Sequence, residues 1–185
     1  MTICPVVALK DICTRKGEYG VGLASRPWEP GDPRYIRITD VTSAGGLTSK
    51  QVAPSGSESE WSRAILEPGD LLFARSGATV GKTYLHSVKN DPAVYAGYLI
   101  RFRLDPAVAD SRFVFHYSQT TAYQAWVRST QRAVAQPNIN AQQYGDLPVP
   151  LPPLSEQRRI TAILDQAELL TRLRGAASSG IGSLT

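Results

Sequence analysis

Apolar residues recur along this chain with two periods, one suited to strands and one to a helix. Arg34-Tyr35-Ile36-Arg37-Ile38-Thr39 alternates polar with apolar side chains, which predicts a strand with one buried face. A short apolar run at residues 6–9 predicts a first strand, and the stretch 13–33 that follows reads as a surface loop punctuated by glycine and proline. Gly45-Gly46-Leu47 predicts a turn, and residues 53–60 a serine-rich polar loop. Residues 71–74 and 79–85 predict two strands of a hairpin broken at Ser76-Gly77. Residues 93–104 predict a longer strand, with Tyr98, Ile100, Phe102 and Leu104 on one face and Leu99, Arg101 and Arg103 on the other. Asp110 is placed to cap a helix carrying Phe113, Val114 and Tyr117, and Tyr123, Trp126 and Val127 continue an amphipathic pattern whose aromatics are core candidates.

The pattern then changes character. Prolines 148, 150, 152 and 153 remove backbone donors at close intervals and hold the segment extended. Beyond them Ser155 is a candidate N-cap, Glu156 puts a negative charge in the first turn, and Ile160, Ile163, Leu164, Ala167 and Leu170 form an apolar seam seeking a partner helix. The seam ends at Arg174 and Gly175, and the small, glycine-containing stretch 176–185 reads as a flexible tail. The fold class predicted is α+β: a mainly β domain with short helices over 1–150, a proline exit segment and amphipathic helix over 151–175, then the tail.

Composition narrows the function classes. Of 185 residues 42% are hydrophobic, as expected of a folded domain, and no run approaches the length of a membrane span. With no signal-peptide pattern, the chain reads as cytoplasmic with reduced thiols. Its formal net charge of +4 tilts toward a polyanionic partner without deciding it. Cys4 and Cys13 lack zinc-ligand spacing, and His86 and His116 lie far from both, so no metal is expected.

Two stretches carry candidate chemistry. Ser76-Gly77-Ala78-Thr79-Val80-Gly81-Lys82-Thr83 imitates a phosphate-binding loop, which makes a nucleotide-binding enzyme using residues 76–83 an alternative reading. Against it, Ser76 stands where such a loop needs glycine, and the residues after the GKT favour a strand over the required helix. Residues 129–140 contain no acid and combine Arg132, Gln131, Gln136, Asn138 and Asn140, side chains suited to reading base edges. A third reading, a protein-interaction module acting through the helix at Ser155, rests on the apolar seam alone.

The run PxPLPPLSEQRRI, preceded by Asn138-Ile139-Asn140, resembles the end of a target-recognition domain in the specificity subunit of type I restriction-modification systems. GDLLFARSGATVGK at residues 69–82 is similar to the other recurrent motif of that family, and Ile38-Thr39-Asp40 is similar to the end of a strand opening its sheet. The resemblance implies a non-catalytic subunit that reads one half of a split double-stranded DNA site. It also implies docking to a modification subunit, an adenine methyltransferase that alone would hold S-adenosylmethionine, and further association with a restriction subunit. Ile139 would pair with the sheet and Asn140 would cap a short helix over 141–144. Arg37, Arg75, Lys82, Arg128 and Arg132 are the expected DNA contacts; no catalytic residue and no cofactor is expected on this chain. Members of the family carry two recognition domains, whereas this sequence holds one copy of each motif, so the chain is expected to be either a half-subunit that pairs with a second copy through the helix or a truncated form.

Overall fold

The structure, a computed structural model, describes residues 4–90, 92–131 and 138–181, the side chains of 172 and 175–181 excepted. Its strands and helices follow in the order β1 (Val6–Ala8), β2 (Glu18–Tyr19), β3 (Ser25–Pro27), β4 (Arg34–Ile36), β5 (Val52–Pro54), α1 (Glu58–Trp61), β6 (Leu71–Ala74), β7 (Thr83–Leu85) and β8 (Ala93–Tyr95). There follow β9 (Leu99–Phe102), α2 (Ser111–Tyr117), α3 (Thr121–Gln131), α4 (Ala141–Gly145), β10 (Pro148–Pro150) and α5 (Leu154–Ile181). This is the mixed α and β architecture that the patterning implies.

A four-stranded sheet in the order β2-β9-β6-β7 forms the centre. Both faces of β6 and β9 are covered, so the alternation of side chains sorts them into two cores. Leu71, Phe73, Ile100 and Phe102 pack with Leu9 and Ile12, with Phe113 and Val114 of α2, Tyr123 and Val127 of α3, and Tyr144 of α4. Leu72, Ala74 and Leu99 join the other cluster, with Tyr35 and Ile36 of β4, Val94 and Tyr95 of β8, and Leu66. Phe73 meets the Phe102 ring edge-on at 5.5 Å and lies 4.9 Å from Tyr144, so the aromatic residues of α3 and α4 are core. Around this sheet, β4 and β8 pair in parallel and β3 and β5 antiparallel.

Several elements depart from the sequence reading. The stretch 13–33 contains β2 and β3, two short strands whose polar composition hides them. Residues 52–54 form β5, fully buried, where a polar loop is expected, and Ser57 then opens the short α1, its backbone N–H donating to Glu60 Oε2 at 2.7 Å. Residues 93–104 are two strands, not one: the chain turns at Ala96-Gly97, and Tyr98 leaves the buried face to stand exposed. The hairpin of β6 and β7 is antiparallel with Phe73 opposite Thr83, but its second strand starts only at Thr83. Gly81 explains the delay, since it has φ +86° and an added Cβ would lie 2.8 Å from Val127 of α3.

The proline segment pairs with the N-terminus: β10 runs antiparallel to β1, with Val7 opposite Val149. A two-stranded ribbon tolerates prolines because neither outer edge needs their missing donors. α5 begins at Leu154, one residue before the expected cap, and the carbonyl of Pro153 accepts from the amides of Glu156 and Gln157. It continues to Ile181, past Gly175 and Gly180, where the sequence predicts a break and a tail; residues 182–185 lie outside the described part. Among the described residues, no helix is long and apolar enough to cross a membrane.

Candidate nucleic-acid interface

Arg75 ends β6 at the point where four parts of the chain converge. Its amide donates to the carbonyl of Tyr98 in the β8–β9 turn, and its carbonyl accepts from the amide of Ile139, each closely hydrogen-bonded at 3.0 and 2.9 Å. Ser76 forms a bridge to Asn138, so the Asn138-Ile139-Asn140 segment is stitched to the sheet edge as the resemblance implies. Asn140 then caps α4, its side chain accepting from the amide of Gln143 while Gln143 Oε1 accepts from the amide of Asn140.

The Arg75 guanidinium lies over the ring of Tyr19, 4.8 Å from its centroid, and Nε donates to Asn138 Oδ1 at 3.3 Å. Tyr19 is fixed in turn, because its hydroxyl accepts from the amide of Ala141 at 3.0 Å. Among the described residues the two terminal amino groups of Arg75 carry no hydrogen bond. Tyr98, whose carbonyl holds the Arg75 amide, is 61% exposed and lines an open groove of about 650 Å³ with Ser25, Arg37 and Thr39.

The other expected contacts are distributed differently. Arg37 lines that groove but is bound to Asp40 by two side-chain hydrogen bonds of 2.9 Å, which hold its pKa above the ordinary arginine value. It is thereby a fixed charge rather than a free arm. Lys82 donates to the carbonyl of Val41 at 3.1 Å and ties the turn around Gly45 to the hairpin. No helix follows its GKT: a single 3₁₀ turn, Gly77–Thr79, leads into β7, which removes the helix N-terminus that a phosphate loop requires. Arg128 is exposed on α3 near its end. Arg132 and Gln136 lie outside the described residues.

Arg101 and Arg103, which their strand face offers for phosphates, are used internally. Arg101 is 6% exposed and binds Glu18 Oε2 at 2.7 Å and the carbonyl of Ile65 at 2.9 Å. Arg103 makes a two-pronged pair with Asp70 at 2.8 and 3.0 Å, which raises its pKa. Acidic partners within reach decide between a solvated cation and a structural one, and they come from residues 18 and 70, too distant in sequence for strand periodicity to reveal.

The seam of α5 divides between two surroundings. Ile160 packs against the first core, whereas Ile163, Leu164 and Leu170 are exposed, as are Ala167, Leu169 and Leu173. The face that docks on α2 is polar instead. Gln157 is fully buried, accepting from the amide of Asp110 and donating to the carbonyls of Val108 and Pro152. Asp165 accepts from Arg112 and His116 of α2. Although burial pushes its carboxyl pKa up, those two hydrogen bonds outweigh it and the pKa is lowered. Gln157 was invisible to hydrophobic patterning because an amide inside the LSEQRR run looks like surface.

Neither cysteine is paired; burial pushes the Cys13 thiol up to about 12, far from reactive. Among the described residues no cluster of side chains is arranged to hold a metal.

The geometry on its own gives a mixed fold with an arginine held against a tyrosine at the end of β6 and a helix bearing an exposed apolar row, and sequence comparison makes the family assignment. The family model of the type I restriction modification DNA specificity domain matches residues 5–177, and the chain belongs to that family. It is 27% identical over 173 residues to the type I restriction enzyme EcoKI specificity subunit of Escherichia coli strain K12, covering 89% of this chain and 37% of that protein. A stretch of 80 residues is 28% identical to the EcoDI specificity subunit of Escherichia coli, covering 41% of this chain and 18% of that protein. The fold is similar to the HsdS subunit from Thermoanaerobacter tengcongensis, with a TM-score of 0.64 at 21% identity over 95% of this chain and 46% of that one. It is also similar to the S subunit from M. genitalium, with a TM-score of 0.61 at 16% identity over 96% and 43% of the two chains. The chain spans less than half the length of each of these relatives.

Proposed function

We propose that this domain binds double-stranded DNA and reads one half of a split site for a type I restriction-modification system. The observation that carries the reading is the family match over residues 5–177, together with the fixed but uncommitted guanidinium of Arg75 at the sheet edge. Arg75 and the exposed Arg128 supply positive charge toward phosphates, while the exposed Tyr98 of the β8–β9 turn enters the groove. Arg132 is retained as a contact on charge alone.

The exposed face of α5 docks an adenine-methylating modification subunit, which alone holds S-adenosylmethionine and supplies the chemistry, and a restriction subunit joins through that complex. A burial-seeking row that includes Ile163, Leu164, Leu170 and Leu173 supports a helical partner over an isolated surface helix. In one arrangement a second copy of the chain packs its own α5 against this row, and the two-fold axis then dictates an inverted-repeat site. The test is light scattering of the chain with and without the modification subunit and a duplex. A shared complex that is lost on replacing Leu164 and Leu170 by glutamate, with duplex binding retained, supports the division of labour. Loss of DNA binding in that variant, with the fold intact, overturns it.

A further inference from the structure

We infer that Tyr19 and Asn138 preset Arg75 as a two-pronged receptor for a DNA backbone phosphate, so that it positions the domain on the duplex without reading sequence. This rests on the DNA-binding reading above. The guanidinium rests over the ring of Tyr19 and its Nε donates to Asn138 Oδ1, so the fork is held at two points while its two terminal amino groups carry no hydrogen bond among the described residues. Two parallel N–H donors on one edge match two acceptor oxygens, the geometry of arginine bound to phosphate or to a guanine edge.

Reach separates those two acceptors. Arg75 is half-buried, with its backbone pinned on both sides by Tyr98 and Ile139 and its side chain laid along Tyr19. The floor of the major groove lies about 8.5 Å below the phosphate rim, so base edges go to projecting side chains. A guanidinium held against the protein body meets the rim. The neighbouring Tyr98, 61% exposed at the tip of its turn, is the group that projects. Ordering cost is low as well, since the stacked and bonded side chain has already given up much of its rotamer freedom.

The test is binding of the full chain to a set of duplexes of differing sequence, over a range of salt, for Arg75→Gln, Arg75→Lys and Asn138→Ala, with melting temperature as the check on folding. Arg75→Gln is expected to weaken every duplex about tenfold and to reduce the slope of log affinity against log salt by about one. Arg75→Lys keeps the charge and therefore the slope, but loses affinity because a point charge cannot reproduce the fork. Asn138→Ala retains the cation and gives a smaller, equally sequence-independent loss. A loss confined to duplexes sharing one guanine overturns the phosphate assignment in favour of base reading while leaving the DNA-binding reading intact. Unchanged affinity and slope in a folded Arg75→Gln removes Arg75 from the interface. Absence of duplex binding by the unaltered chain overturns the inference together with the reading on which it rests.

Discussion

Removing the carboxylate of Asp70 would take away the counter-charge that two arginines share, leaving Arg101 with Glu18 and Arg103 with Glu67. Asp70 is 1% exposed, accepts from the amide of Glu67, pairs with Arg103 at 2.8 Å and lies 3.6 Å from Arg101, itself almost wholly buried. Because Glu18 still faces Arg101 and Glu67 still faces Arg103, the loss is one of charge-assisted hydrogen bonds, and Asp70→Ala is expected to cost about 1.5–3 kcal/mol. Chemical denaturation checks this, and a loss below about 1 kcal/mol contradicts the account of Arg101 and Arg103 as structural cations. Tyr144 is a neutral counterpart: its hydroxyl donates to the carbonyl of Ala74 and accepts from the amide of Gly81, joining both strands of the hairpin. Tyr144→Phe keeps the ring against Phe73 and leaves the Gly81 amide its direct bond to the Ala74 carbonyl, so the expected loss is about 0.5–1.5 kcal/mol by the same measurement. The sequence places Tyr144 in a short helix and Asp70 just before a strand, yet not their partners, which lie 33 residues from Asp70 in one case and 70 from Tyr144 in the other.

The elements that repeat a strong period were legible, and those that borrow stability from elsewhere were not. β6, β9 and the helix beyond the prolines follow from alternation or from a helical seam, and the cap at Asp110 is present as expected, accepting from the amides of Arg112 and Phe113. β2 has two residues and β3 is exposed throughout, so neither carries a hydrophobic signature. The docking face of α5 was hidden for the same reason: it uses Gln157, Thr161 and Asp165 where patterning looks for leucines. Thr161 is 6% exposed and its hydroxyl, among the described residues, has no partner. Thr161→Val preserves its shape while removing a desolvated donor, so it is expected to raise stability by about 1 kcal/mol; a lowered melting temperature would count against that packing. Asp165 makes the same interface sensitive to acid. Because its folded-state pKa is lowered below the ordinary 3.8, its contribution is present above that value and is lost as pH falls through the folded value. The stability advantage of the unaltered chain over Asp165→Asn is therefore expected to shrink as pH falls below 3.8, and an advantage unchanged by acidification contradicts the clasp.

At the scale of the whole molecule, one compact body presents a basic, tyrosine-lined edge, and a helix with exposed leucines extends from it through the proline segment. The recurrent motifs that give away the family build this frame: Phe73 and Gly81 pack the hairpin, Asn140 caps α4, and Gln157 fastens α5. They reveal little about which bases are read, because scaffold residues are chosen by packing and base contacts by the target. That separation explains why the family was legible in the sequence while, of the five expected contacts, Arg75 and Arg128 alone reappear among the described residues without an internal salt bridge or backbone tie on their charged ends. The central claim is that this body recognises DNA by sequence. Selection of duplexes from a randomised pool by the purified chain tests it most directly. Enrichment of a short, contiguous set of base pairs, lost when the exposed Tyr98 is altered in a folded variant, is the expected result. A pool that remains random at low salt, with the chain folded, would contradict it.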